Sequence, residues 1–163
     1  MSGLRQIRAL YDYNEWANNH NLDAVSALSD AERTRPMGAS FGSVQDNLWH
    51  VVSAQTVWHD RFAGKPARPL QGGNSSLDDL RAAFAASHEN LRSYVASLTE
   101  NDLSSVLRYT DTNGNARQIV LWQPLLHLVN HGTHHRAETA LIVTSLGKPM
   151  RELDYVFFEL ERS

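Results

Sequence analysis

Apolar residues recur with helical spacing in four long stretches of the chain, and polar capping residues and glycine–proline punctuation separate them. The first stretch runs from about Leu4 to Leu28, with Leu4, Ile7, Leu10, Tyr11, Trp16, Val25 and Leu28 as expected core positions. Ser29-Asp30-Ala31-Glu32 reads as a capping box opening a short extra turn, which Pro36 and the Gly38-to-Gly42 loop end. Ser43 is the expected N-cap of a second helix, because Asp46 then falls where a carboxylate complements exposed N–H groups; Gly64 and Pro66 end it. A Pro/Gly/Ser-rich link, Gly64 to Ser76, leads to a third helix capped by Ser76-Leu77-Asp78-Asp79 and running to about Leu98. So long a link permits a crossover as well as a tight hairpin.

Val106 to Thr110 and Ala116 to Val120 flank Asp111-Thr112-Asn113-Gly114-Asn115, an Asn-Gly turn suited to a short β-hairpin. A fourth helix is expected from about Ile119 to Leu146, stopped by Gly147 and Pro149. The aromatic tail, Leu153 to Leu160, is expected to pack on the bundle. Helix–loop–helix occurs twice, and Leu48-Trp49-His50-Val51-Val52 echoes Leu125-Leu126-His127-Leu128-Val129, as in a bundle of two related helical pairs. The fold class is all-α, a four-helix bundle with a short hairpin before the fourth helix.

Composition narrows the function. A chain of 163 residues, 42% hydrophobic, suits one domain, residues 1–163, with a sizeable core. The formal charge is −3, from 15 basic and 18 acidic residues, and no Lys/Arg run tracks a phosphate backbone, so nucleic acid is not an expected partner. No stretch approaches a membrane span, and the start, Met1 to Leu10, lacks the apolar centre of a signal peptide; the expectation is a cytoplasmic protein with no membrane partner. Without cysteine there is no disulfide, thiolate metal site or cysteine nucleophile, so any metal must be held by nitrogen and oxygen.

The candidate chemistry lies in Asn130-His131-Gly132-Thr133-His134-His135-Arg136. Histidines four apart on a helix lie about 40° apart on one face, one turn removed, so both rings can reach one ion. His127, His131 and His135 follow this stripe; His134 is about 100° from His135 and leaves it. Either His131 and His135 or His127 and His131 can form the pair, the remaining ring standing beside it to orient a ligand or touch substrate. A third ligand must come from a facing helix. His50, in the apolar run Leu48 to Val52, is the best candidate; His59, about 180° round from it, is weaker, and His20 and His88 read as solvent-facing. A histidine in an apolar helix is more often a hydrogen-bonded core residue than a ligand, but four within nine residues, with His50, favour a metal. The four tryptophans, Trp16, Trp49, Trp58 and Trp122, read as core and pocket wall.

Tyr13-Asn14-Glu15-Trp16-Ala17-Asn18, Leu48-Trp49-His50 with Trp58, the NHGTHHR string and the Leu153-to-Leu160 tail together resemble the DinB/YfiT-like metalloenzyme family, across almost the whole chain. This family is unrelated to the DNA polymerase that shares the name. The resemblance implies His50, His131 and His135 as metal ligands, up-down-down-up connectivity with the crossover in the long link, and a homodimer. It also implies thiol-dependent isomerase or S-transferase chemistry. Where the family often has Gly-Gln after HHR, this chain has Ala137-Glu138, and Glu138 becomes a candidate acceptor behind His135.

Three protein ligands leave a coordination position open, the mark of a catalytic site. Zinc would lower the pKa of water from about 15.7 to about 7, and would deprotonate a thiol outright. The expected function is a metal-dependent enzyme acting on a small molecule, a thiol S-transferase or hydrolase. Its ion would be Zn²⁺ or Ni²⁺, with Fe²⁺ as an alternative, and its cosubstrate a low-molecular-weight thiol. A noncatalytic metal- or ligand-binding stress protein is the competing expectation. His127, Asn130 and Glu138 are the candidate supporting groups around the ion.

Overall fold

A computed structural model describes residues 2–38, 40–73 and 75–163; Ala39 in the loop before the second long helix and Asn74 in the long link lie outside them. The chain is mostly helical with one small sheet: α1 (Gly3–Val25), α2 (Asp30–Thr34), α3 (Val44–Phe62), α4 (Leu77–Ser97), a 3-10 turn (Asn101–Ser104), β1 (Val106–Thr110), β2 (Ala116–Val120), α5 (Trp122–Ser145) and α6 (Tyr155–Glu161). Each expected cap is in place. Ser29 with Glu32, and Ser76 with Asp79, form reciprocal capping boxes, and the Ser43 hydroxyl accepts the Asp46 N–H.

The strands form an antiparallel hairpin in which Val106 faces Val120 and Thr110 faces Ala116. Its turn is held by the Asp111 carboxylate, which accepts the N–H groups of Asn113 and Asn115, while Gly114 takes φ of 83°. The fourth long helix starts at Trp122, three residues later than the periodicity suggests. Ile119 and Val120 are strand residues, and the Leu121 N–H donates to the Ser105 carbonyl, prolonging the hairpin up to the helix. Pro124 sits in the first helical turn, where its missing N–H costs nothing. The first helix ends at Val25; Ala27 and Leu28 follow in tightened turns that still bury Leu28.

Helix α1 packs against α4 and α5, and α3 packs against the same two. Arg8 of α1 donates to the carbonyls of Ala96 and Leu98 at the end of α4, and Arg81, near the start of α4, donates to that of Leu22. The Tyr11 hydroxyl donates to the Leu125 carbonyl, whereas Arg136, further along α5, reaches Asn14 and Asn18. Between α3 and α4, Ser87 bonds Gln55, and Phe62 stacks on Tyr94 with centroids 5.0 Å apart.

Two apolar clusters fill the interior. One gathers Leu4, Ile7, Tyr11, Leu91, Val95, Leu125 and Leu128; the other gathers Leu22, Val25, Val44, Leu48, Leu80, Phe84, Ile142 and Val143. Between them along the long helices comes a belt of buried polar side chains: Asn14, Asn18, Asn47, Gln55, Ser87, His88, His135, Arg136 and Thr139. Burying so many polar groups is costly unless each finds a partner, so this belt is where function is expected. No helix among the described residues is long and apolar enough to cross a membrane.

Candidate metal centre

The polar belt opens to solvent where α3 faces α5. His50 of α3 meets His131 and His135 of α5, and one ligand atom from each lies within 4.8 Å of the others. The ring centroids form a nearly equilateral triangle: 4.9 Å from His50 to His131, 4.8 Å from His50 to His135, and 4.5 Å from His131 to His135. The Nε2 atoms of His50 and His131 are 2.9 Å apart.

His135 is oriented from behind. Its Nδ1 lies 2.9 Å from Asn47 Oδ1 and 2.9 Å from Glu138 Oε2. The carboxamide of Asn47 is itself fixed, since its Nδ2 donates to the His135 carbonyl (2.8 Å) and to Thr139 Oγ1 (3.0 Å). Two acceptors therefore face Nδ1, which must carry the proton; the lone pair is left on Nε2. Ser40 donates to the other oxygen of Glu138, tying the loop before α3 to the site. From that loop Phe41 lies flat on His50, centroids 3.7 Å apart at 16°.

The electrostatics favour neutral rings. Burial, reinforced by His135, pushes His50 down to about 4. Burial, with His135, His50, His127 and His134 around it, pushes His131 to about 3. Burial acts to raise Glu138, but hydrogen bonds from Ser40 and His135 outweigh it and hold the carboxyl below its ordinary value. At neutral pH, His50 and His131 are neutral imidazoles, the form that binds metals.

Three imidazoles, one with its proton locked on the far nitrogen, are a donor set that fits a divalent ion. His134, His135 and Glu138 form a second group with atoms close enough to hold one. That group would have to use His135 Nδ1, already committed to Asn47 and Glu138, and His134 is exposed, 3.8 Å from the carboxylate. The first triangle is the better site.

Of the other expected residues, His127 sits at the rim, its ring 5.6 Å from His131 and 5.7 Å from Trp58. Asn130 is exposed, and its side chain makes no hydrogen bond among the described residues. His59 is half-buried and outside the triangle. One expectation is corrected. His88 is buried, not solvent-facing, because α4 turns it inward with Phe84 and Leu91; Asn18 Nδ2 lies 3.1 Å from its Nε2. Trp122, expected as core or pocket wall, starts α5 beyond the hairpin and is exposed, lining a pocket with Leu10 and Tyr155.

Arg136 escaped the sequence reading. Its buried guanidinium donates to Asn14 Oδ1 (2.8 Å), Asn18 Oδ1 (2.8 Å) and Thr133 Oγ1 (3.0 Å). Gly132 makes room for it: a Cβ there would stand 2.7 Å from Arg136 Nη1 and 2.7 Å from Asn14 Oδ1. NHGTHHR thus carries two devices, two histidines on one helical face and, beside them, an arginine that pins α5 to α1. The signal was present in the i, i+4 spacing of Asn14 and Asn18 within an apolar stripe.

The fold and site define a mostly helical protein with a histidine cluster that could hold a metal ion. The chain belongs to the DinB family, whose model matches residues 1–162. It is 24% identical over 156 residues to Protein DinB of Bacillus subtilis (strain 168), covering 90% of this chain and 89% of that protein. The crystal structure of a DinB family member from Shewanella denitrificans has a similar fold, with a TM-score of 0.61 and 14% identity over 93% of this chain and 88% of that one.

Proposed function

We propose that this chain is a metal-dependent enzyme acting on a small molecule, with His50, His131 and His135 as the ligands of one divalent ion, zinc or nickel before iron. The observation that carries this reading is the locked proton on His135 Nδ1, which leaves Nε2 free beside the converging rings of His50 and His131. Three protein ligands leave room for a further group, as in catalytic sites. When bound, such an ion supplies Lewis acidity at neutral pH, the chemistry shared by thiol transfer and hydrolysis.

The remaining tasks fall to the chain. Asn47 and Glu138 hold the His135 proton, Phe41 shields one face of His50 from water, and His127 offers a titratable ring at the rim. With a low-molecular-weight thiol as cosubstrate, the reading is an S-transferase; with water, a hydrolase.

The reading takes the molecule as one domain, an up-down-down-up bundle. What supports the connectivity is the order of cross-helix contacts. Residues 8 and 22 of α1 meet 96 and 81 of α4, antiparallel, whereas 11 and 18 meet 125 and 136 of α5, parallel. Residues 47 and 58 of α3 meet 135 and 127 of α5, antiparallel. A homodimer in the cytoplasm belongs to the same proposal, and sedimentation of the purified protein tests its oligomeric part.

The functional test is an assay of electrophiles with low-molecular-weight thiols and, separately, of esters and amides. Turnover that is lost on chelation and in His135→Ala supports the enzyme. Metal binding without turnover of either set assigns a binding protein instead.

A further inference from the structure

At the C-terminal end of α3, Arg61 is 8% exposed and packs against a pair of touching aromatic rings, its guanidinium carbon 4.7 Å from the Trp58 centroid and 4.8 Å from that of Tyr109, the two centroids being 5.2 Å apart. Aromatic contact of this kind is made through the π-system and supplies no hydrogen-bond acceptor to the N–H edge of the guanidinium. Among the described residues nothing accepts from that edge: Nε is buried without a partner, and no carboxylate pairs with Arg61. A buried guanidinium with idle donors is an expensive arrangement that calls for an explanation.

The nearby acids are already engaged. Asp60 takes two hydrogen bonds from the Arg68 guanidinium and one from its backbone N–H. Asp111 accepts from Asn113, Asn115 and Arg117. Arg61, Lys65 and Arg108, none with an acidic partner among the described residues, line one open pocket of about 680 Å³ between the end of α3, the following link and β1. Tyr109 of the pocket wall lies 5.2 Å from Trp58, Trp58 lies 5.7 Å from His127, and His127 lies 5.6 Å from His131, so a run of aromatic rings leads from the pocket to the histidine triangle.

We propose that this pocket binds the carboxylate or phosphate group of a small anionic substrate, with Arg61 donating to its oxygens and Lys65 and Arg108 supplying charge. Arg offers paired N–H groups that match either anion. That the same molecule extends past Trp58 and His127 to the triangle rests on the metal-enzyme reading above; binding of the anion does not.

The test is titration of the protein with inorganic phosphate and, separately, with acetate at low ionic strength, following the Arg61 Nε–H resonance by NMR and the affinity by calorimetry. The preferred anion tells a phosphate source from a carboxylate one. A saturable shift of that resonance is expected, with affinity at least tenfold weaker in Arg61→Lys and severalfold weaker in Lys65→Gln and Arg108→Gln. The latter two positions are exposed, so their loss of binding cannot come from misfolding. His50→Ala should keep the anion affinity while losing metal, which separates failure of this inference from failure of the metal site. No saturable binding of either anion, or wild-type affinity in both Lys65→Gln and Arg108→Gln, would overturn the proposal.

Discussion

The Glu138 carboxylate lies 2.9 Å from Nδ1 of His135, three residues earlier on α5, and so helps decide which ring nitrogen faces the histidine triangle. Partners of this kind typically contribute 10- to 100-fold to metal affinity. Glu138→Ala, which leaves Asn47 as the remaining acceptor, should weaken Zn²⁺ binding about tenfold, and the double variant with Asn47→Ala should weaken it further. Competition against a chromophoric chelator measures both. Unchanged affinity in the double variant would mean that His135 needs no support.

Gly132→Ala should destabilise the fold without touching a ligand. The added methyl would meet the Arg136 guanidinium and the Asn14 carboxamide at 2.7 Å, where real contacts do not occur. Both groups are buried and hydrogen-bonded to each other, so relief of the clash must disturb that pair. Overpacking of this sort costs about 1–3 kcal/mol. Urea unfolding of the metal-free protein gives the difference directly; stability equal to wild type would show that the α1–α5 junction yields freely.

His88 makes stability depend on pH. Burial, with Arg136 and Arg92 nearby, lowers its pKa to about 4, and because Asn18 Oδ1 accepts from Arg136, the Asn18 amide must donate to a neutral His88. The unfolded chain takes up this proton near pH 6.5, while the folded chain resists it until about 4. Stability due to His88 is thus present above pH 6.5 and is lost as pH falls towards 4, at up to about 1.4 kcal/mol per pH unit. Unfolding of metal-free protein between pH 7 and 4 should show this slope, reduced in His88→Gln, whose amide oxygen can accept from Asn18 without titrating. An identical slope in the variant would contradict the assignment.

Much of this architecture was legible in the sequence because it is locally encoded. The serine caps, the Asn-Gly hairpin and the spacing of His131 and His135 each depend on residues within one or two turns of one another. What escaped depends on how helices rotate against their neighbours. His88 beside Glu89 looks like a surface pair until α4 is docked, and Asn14, Asn18 and Asn47 show no partner until Arg136 and His135 arrive from α5. The late start of α5 had a similar cause: Ile119 and Val120 fit either period, and pairing with β1 decided between them.

Phe41 covers one face of His50, whose low pKa comes first from burial. Phe41→Ala should let water reach the imidazole, ease desolvation of its charged form and raise the His50 pKa from about 4 towards the ordinary 6.5 in metal-free protein. NMR titration of the imidazole carbons follows this. A pKa that stays near 4 would place the cause in the neighbouring rings.

His50, His131 and His135 are expected to hold one metal ion between them. Metal analysis of protein purified without a polyhistidine tag, together with His50→Ala, His131→Ala, His135→Ala and His134→Ala, tests it most directly. One equivalent of a divalent metal is expected in the wild type and in His134→Ala, with substantial loss in each of the other three. Wild-type protein without stoichiometric metal or affinity for it, or loss in His134→Ala with retention in His50→Ala, would contradict it.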